Sequence, residues 1–334
     1  MRRYLFGIIF GVILAAFTVY VALDTFVIVR VYQEIPEGPK EESSSISLGY
    51  LRSSETEEEE TSEEPASDPT EGSSGETIEK TTEEPTEVPT VVSDDSYSDK
   101  NISIRISRIR VYETEVYIAE VELTSPWYLK TALAHDVYGR NVVNFTSETA
   151  KQKNAILAVN GDYYGARERG YVIRNGVLYR NSRAGNNQTD LVIYWDGSFG
   201  IIKESEVSAE SLIENNAREV FSFGPALVRN GEISVGEREE VAIAYAKNPR
   251  CAVGIIDDLH YLFVVSDGRT KESSGLSLYR LAGVMKELGC ETAYNLDGGG
   301  SATMVFNGEI INKPTGTGDH IYERQVSDIV YIGY

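Results

Sequence analysis

Two apolar runs in the sequence break off at the same pair of residue types. YLFVVSDGRT ends in Asp267-Gly268, and AYNLDGGGS ends in Asp297-Gly298. Such runs read as buried strands, and a carboxylate at a strand end is placed to act as acid, base or nucleophile. A tight turn is the plain alternative for either one. After Asp297 the glycines exceed what one turn needs. Gly298, Gly299 and Gly300 let the backbone approach a ligand closely, and the N–H groups running up to Ser301 can cradle an anion. A third run, AILAVNGDYYG, stops at Asn160-Gly161-Asp162-Tyr163-Tyr164. Asn160 and Asp162 would share a face if the strand continued, although Asn-Gly is also a turn signal. In NPRCAVGI, Arg250 opens an apolar strand. Its forked guanidinium suits a phosphate or carboxylate, and equally a salt bridge at a rim.

Other chemistries fit less well. GGGSAT is not the G-x-S-x-G elbow, because Thr303 stands where the last glycine belongs, and no Lys follows to make a phosphate-binding P-loop. A Ser-His-Asp triad would draw on His135, His260 or His320, none of which carries a motif for that role. Cys251 and Cys290 form no CxxC or Cys/His cluster that points to zinc. They could pair in an oxidising compartment or remain buried thiols.

Three regions must position these residues. MRRYLFGIIFGVILAAFTVYVALDTF carries no charge from Leu5 to Leu23, long enough for a bilayer core, and Arg2 and Arg3 mark a cytoplasmic end. No clean signal-peptidase site follows it. Residues 1–33 are therefore expected to be a cytoplasmic tip and uncleaved single-pass anchor, with the rest of the chain outside the cell. Residues 34–100 are rich in Glu, Ser, Thr and Pro, and about −17 of the formal net charge of −21 falls there. The segment has too little apolar surface to offset its ordering entropy and reads as a disordered acidic linker, a self-repelling stalk. No basic patch suggests nucleic acid as a partner.

Residues 101–334 are long enough for a sizeable core. ISIRISRIRVY and VYIAEVEL alternate as strands do. Asn175-Gly176, Asp196-Gly197, Asn230-Gly231 and Asn307-Gly308 each lie between β-prone runs, the pattern of type I′ hairpins. Ser147 is expected to cap a helix through TSETAKQKNA. SSGLSLYRLAGVMKELG sets Leu278, Leu281, Met285 and Leu288 on one helical face and stops at Gly289. The expected fold is α+β: a strand-rich mixed sheet core with a few helices.

AVNGDYYG, NPRCAVGI, VVSDGRT, AYNLDGGGSATMVFNG and ERQVSDIV occur in this order. Together they resemble the phosphodiester glycosidase family across residues 101–334. Bacterial members of that family are commonly membrane-anchored and exopolysaccharide-related, and an animal member removes N-acetylglucosamine from a phosphodiester-linked mannose marker. Asn160, Gly161, Arg250, Gly254, Asp267, Gly268, Asn295, Asp297 to Ser301, Thr303 and Arg324 match the shared pattern. Animal members have Gly-Phe-Phe in place of Asp162-Tyr163-Tyr164, so Asp162 is not a family-wide catalyst and is assigned to substrate selection or cation binding.

The resemblance implies hydrolysis of a sugar-1-phosphodiester on a glycan or sugar-phosphate polymer. On that basis Asp297 is expected as nucleophile or base, with Asp267 as its partner and Asn160 orienting sugar or water. Arg250 and the N–H groups of Gly298 to Ser301 would hold the phosphate, joined at the substrate by Thr303 and Arg324, while Tyr163 or Tyr164 stacks on the sugar. The motifs specify no cofactor. A divalent cation such as Ca²⁺ has room near these acids, but no ligand spacing marks one. The rival is an anchored envelope protein that binds glycan without turnover.

Overall fold

The structure, a computed structural model, describes residues 2–34, 90–239, 247–316 and 320–334. One folded unit comprises Met1–Ile35 and Val88–Tyr334, and the intervening Pro36–Glu87 lies outside the described residues. The disordered linker expected over 34–100 therefore falls mostly outside them. Its ends do not: Arg30–Glu34 is a strand, and strands resume at Val91–Val92 and Ser96–Ser98, ahead of the expected start at Asn101.

The α+β, strand-rich expectation holds. Every pairing between described strands is antiparallel rather than mixed in direction, both in hairpins such as Arg250–Asp257 with His260–Ser266 and between strands far apart in sequence, such as Thr114–Leu123 with His260–Ser266. A nine-stranded sheet runs from Val91–Val92 and Ser96–Ser98 through the long pair Ile102–Val111 and Thr114–Leu123. It continues through His260–Ser266, Arg250–Asp257 and Thr292–Leu296 to Ala226–Arg229 and Glu232–Ile233. One five-stranded sheet centres on Met304–Phe306, Leu157–Asn160 and Asp328–Ile332, with Leu129–Leu133 at its edge, and a second on Val172–Arg174, Ala217–Phe221 and Thr189–Tyr194.

Alternation along each strand divides the apolar residues between layers. Tyr117, Val253 and Phe263 of the large sheet meet Leu157, Val159 and Val330 of one small sheet and Ile193 and Phe221 of the other in the main core. Their neighbours Ala252, Leu262 and Val264 face away, under Leu278, Leu281 and Met285 of helix Leu278–Glu287. Burial on both faces is why these strands read as continuous apolar runs. Cys251 and Cys290 are free and buried, and they belong to clusters on opposite faces of the large sheet.

Local signals were mostly obeyed. Asn175-Gly176, Asn230-Gly231 and Asn307-Gly308 have both residues at positive φ, as a type I′ turn requires. At Asp196-Gly197 only the glycine does; there the Asp196 carboxylate accepts from Ser198 N at 2.9 Å and holds a longer loop. Helix Thr146–Gln152 begins without a side-chain cap, and Ser147 in its first turn binds Glu323 instead.

Arg2–Phe26 forms a single helix. Among the described residues no helix is long and apolar enough to cross a membrane. Side chains of this helix are described only from Ile9, so the span expected from Leu5 lies partly outside them, and the anchor is not shown.

Candidate functional site

The site forms where strand ends of two sheets meet. Arg250–Asp257 lies between His260–Ser266 and Thr292–Leu296 and is antiparallel to both, pairing Arg250 with Ser266 and Cys251 with Leu296. Asp267 and Asp297 thus leave the same end of the large sheet two strands apart, with backbones about 10 Å from one another. Asn160, at the end of a strand in the other sheet, bolts the two together. Its Nδ2 donates to Asp297 O at 2.7 Å and to Gly161 O at 3.1 Å, and its Oδ1 accepts from Thr303 N at 3.3 Å. Asp297 N donates to Gly161 O at 3.2 Å. The Asn160 side chain is fully buried and committed to backbone groups. It lies in the seam and not on the cleft.

Above this seam is a cleft of about 200 Å³ whose polar walls include Asn141, Asp162, Tyr163, Asp297, Arg324 and Ser327. Arg324 organises it. Its Nη2 donates to Asp297 Oδ2 at 2.7 Å, and its Nε donates to Ser301 Oγ at 2.8 Å. The guanidinium carbon lies 5.9 Å from the Tyr163 ring centroid, and the side chain is 43% exposed. Tyr163 is itself exposed to the cleft mouth. Asp162 is held rigidly: one oxygen accepts from Tyr164 N at 3.0 Å, the other from Ser222 N at 3.1 Å, and Arg174 Nη2 stands 3.3 Å away.

Behind the cleft lies a charge cluster that sequence reasoning missed. Arg174 is wholly buried and donates through Nε and Nη2 to Asp328 Oδ2 at 3.0 and 2.6 Å. Burial pushes the Asp328 carboxyl upward, and the Arg174 cation opposes it. The Asp328 carboxylate occupies the space where a side chain at position 161 would go, which is why that position is glycine. Farther back, burial and then the neighbouring Glu204 push Asp190 well above the usual carboxylate range. Glu204 Oε1 accepts from Ser222 Oγ at 2.9 Å, linking this pair to the Asp162 support. A signal existed: YVIRNG holds one arginine in an apolar strand, and a charge in that setting requires a buried partner.

Several expected site residues lie elsewhere. Asp267 does not line the cleft: its carboxylate accepts from Lys313 N at 2.8 Å and from Tyr117 OH at 3.5 Å. Burial raises its pKa, with the Lys313 N–H and the Asn312 side chain opposing. Arg250 is buried beside the glycine run, with Nε donating to Leu276 O at 2.9 Å. Tyr164 is a core residue stacked on Tyr138 at 5.3 Å, so of the two tyrosines only Tyr163 can meet a sugar. Thr303 is fully buried.

The glycine run is shaped largely by packing. A Cβ at Gly298 would lie 2.6 Å from Pro249 O, one at Gly300 would lie 3.3 Å from Gly316 Cα, and Gly299 has φ +61°. Gly299 N donates to Pro249 O and Ser301 N to Gly298 O, so these two N–H groups are engaged within the chain. Ser301 is tied to Arg324.

The one cluster with metal-ligand geometry among the described residues is Glu120, Glu122 and His260, on the long antiparallel strands and not at the cleft.

With this geometry established, the likeness to known proteins is informative. A family model described as phosphodiester glycosidase matches residues 153–333. The SPbeta prophage-derived uncharacterized protein YomE of Bacillus subtilis (strain 168) is 34% identical over 191 residues, covering 55% of this chain and 29% of that protein. The N-acetylglucosamine-1-phosphodiester alpha-N-acetylglucosaminidase of Mus musculus is 29% identical over 208 residues, 55% of this chain and 39% of that enzyme. The chain therefore spans well under half the length of these relatives. Among solved structures, the zebrafish catalytic domain of the same enzyme, auto-inhibited by its pro-peptide, superimposes with a TM-score of 0.55 at 25% identity. It covers 70% of this chain and 83% of that one. A hypothetical protein from Synechocystis shares the fold, with a TM-score of 0.51 at 13% identity over 70% of this chain and 62% of its own.

Proposed function

The chain belongs to the phosphodiester glycosidase family, and we propose that it hydrolyses a sugar-1-phosphodiester, with an N-acetylglucosamine-like sugar, on a cell-surface or extracellular polysaccharide. The observation that carries this reading is the Arg324 guanidinium bound to Asp297 at the cleft, with Tyr163 beside it and Asp162 lining the same cleft. A sugar phosphodiester already has a good leaving group. The site must hold the phosphate, stabilise positive charge at the sugar carbon and bring in water or a nucleophile.

Arg324 meets the first need, because its fork is partly exposed and matches two phosphate oxygens. Asp297 meets the others as nucleophile or base. Phosphate binding at Arg324 would loosen its grip on the carboxylate at the moment that group is needed. Asp162 takes the place of Asp267 as the second carboxylate at the cleft, and Asp267 serves instead to hold the loop at Lys313. The bond from sugar carbon to phosphate oxygen breaks, its electron pair leaves with the phosphate, and water completes the sugar.

The location we propose is the cell envelope, with the N-terminus cytoplasmic and the domain outside. Its support is the uncharged run Leu5–Leu23 following Arg2 and Arg3. Resistance of the protein to alkaline extraction from membranes tests it, and release into the soluble fraction would refute it.

The activity test uses the purified full chain and a phosphodiester of N-acetylglucosamine-1-phosphate. Asp297→Asn is expected to lower kcat about a thousandfold, or about 4 kcal/mol, while the protein stays folded. In isotope-labelled water the label should enter the sugar; label in the phosphate would overturn the glycosidase chemistry. Tight binding without cleavage across a panel of sugar-1-phosphodiesters would replace this reading with the glycan-binding one.

A further inference from the structure

The cleft wall depends on a segment far away in sequence. Strand Val137–Arg140 leads directly into Asn141 and Val143 of the cleft, and Tyr138 and Gly139 within it are buried. Its strand partner among the described residues is Arg30–Glu34 alone. The pairing is antiparallel, setting Val31 opposite Gly139, Gln33 opposite Tyr138 and Glu34 opposite Val137, with a bulge between Val31 and Gln33.

Three further contacts make the fit specific. The Arg30 carbonyl fills the space that a side chain at Gly139 would need. Asn141 Nδ2 donates to Ile28 O at 2.9 Å. The Tyr32 ring lies 5.8 Å from that of Tyr138, which stacks in turn on Tyr164. Asn141 is held at φ 57°, and its N–H donates to Gly165 O at 3.0 Å. A strand deprived of its partner would leave a row of main-chain donors and acceptors unpaired beside the site.

We propose that strand Arg30–Glu34 is an integral part of the catalytic unit, and that with Ile28 just before it the strand positions Asn141 at the cleft wall for substrate binding. This rests on the cleft being the active site proposed above. Asn141 is a positioning residue in this scheme: the N-terminal strand fixes the wall, and the wall fixes the substrate. A fragment that starts after the acidic segment lacks a working part.

The test uses the full chain in detergent. Opposed residues on antiparallel strands have Cβ atoms about 4.5–5.5 Å apart, close to disulfide reach. Arg30→Cys combined with Arg140→Cys should close a disulfide under native conditions, since the two native cysteines are buried and will not compete. The locked protein should keep wild-type kcat and KM.

Replacing Arg30–Glu34 by Gly-Ser-Gly-Ser-Gly should speed amide exchange across Val137–Asn141. It should also raise KM, and the calorimetric Kd for a methyl phosphodiester of N-acetylglucosamine-1-phosphate, about tenfold with kcat changed less than about threefold. Absence of the disulfide, or unchanged exchange and affinity after replacement, would overturn the proposal. If the unaltered chain neither binds nor cleaves the probe, the functional reading fails, while disulfide closure and amide exchange still decide the place of the strand.

Discussion

Two arginines bear on the cleft in opposite ways. Arg324 reaches it with a partly exposed fork, whereas Arg174 is sealed behind it between Asp162 and Asp328. Arg324→Lys keeps the charge but loses the fork. It should raise KM about tenfold or more in steady-state assays while leaving the melting temperature nearly unchanged. Arg174→Met should instead cost about 3–5 kcal/mol in denaturant unfolding, because two carboxylates lose their buried counter-ion. The Asp190–Glu204 pair adds a pH signature. Burial and Glu204 raise the Asp190 pKa in the folded chain, so that chain keeps a proton which the unfolded chain releases above about pH 4. The contribution to stability is full below that pH and is lost as pH rises through the folded pKa. Melting temperatures between pH 5 and 9 should fall more steeply for the wild type than for Asp190→Asn. That Asp297 and Arg324 would lie together was legible in the sequence, because each stands in a distinctive motif. Asp267 was misjudged for a physical reason: a strand end shows where a carboxylate leaves the sheet, but not that Lys313 N and Tyr117 OH, distant in sequence, turn it from the cleft.

At the scale of elements, the loop after Asp297 is a threaded passage. It runs between Pro249, Arg269 and Gly316, and each glycine answers a different neighbour. Gly298→Ala would push a Cβ against a fixed carbonyl and should cost about 1–3 kcal/mol, with a loss of activity as Asp297 shifts. Gly299→Ala meets only the movable Arg269 guanidinium and a positive φ, so it should cost about 1 kcal/mol. Thermal unfolding and turnover of the two variants separate these causes. The glycine run was conspicuous in the sequence, yet its main reason was not: close approach to other backbone looks the same in sequence as close approach to a ligand. Hairpins were readable because Asn-Gly acts locally. The pairing of Arg30–Glu34 with Val137–Arg140 was not readable, because residues so far apart in sequence carry no shared local signal.

At the scale of the molecule, three sheets stack their inner faces into one core while helices cover outer faces. The α+β class was legible from alternating and continuous apolar runs, but the sheet order was not, since periodicity gives faces and not neighbours. Asp162 and Asp297 at the cleft are already engaged by N–H groups or guanidinium. Removing divalent cations with a chelator should therefore leave hydrolysis unchanged, and a loss restored by Ca²⁺ alone would refute this.

Were the N-terminal helix a membrane anchor, as proposed above, the N-terminal strand would also set how far the domain could travel. Glu34 and Thr90 both belong to the folded unit, so the chain between them departs from one body and comes back to it. Paid out as a free leash, residues 35–89 would reach about 190 Å. Fastened at both ends, they add nothing to the separation of helix and cleft. That separation is governed by Val27 to Val29, which even fully extended would span only about 10 Å. With the helix seated in a bilayer, the cleft would graze the lipid surface and could not sweep the outer wall. Its natural quarry would then be the glycan phosphodiesters rooted closest to the membrane.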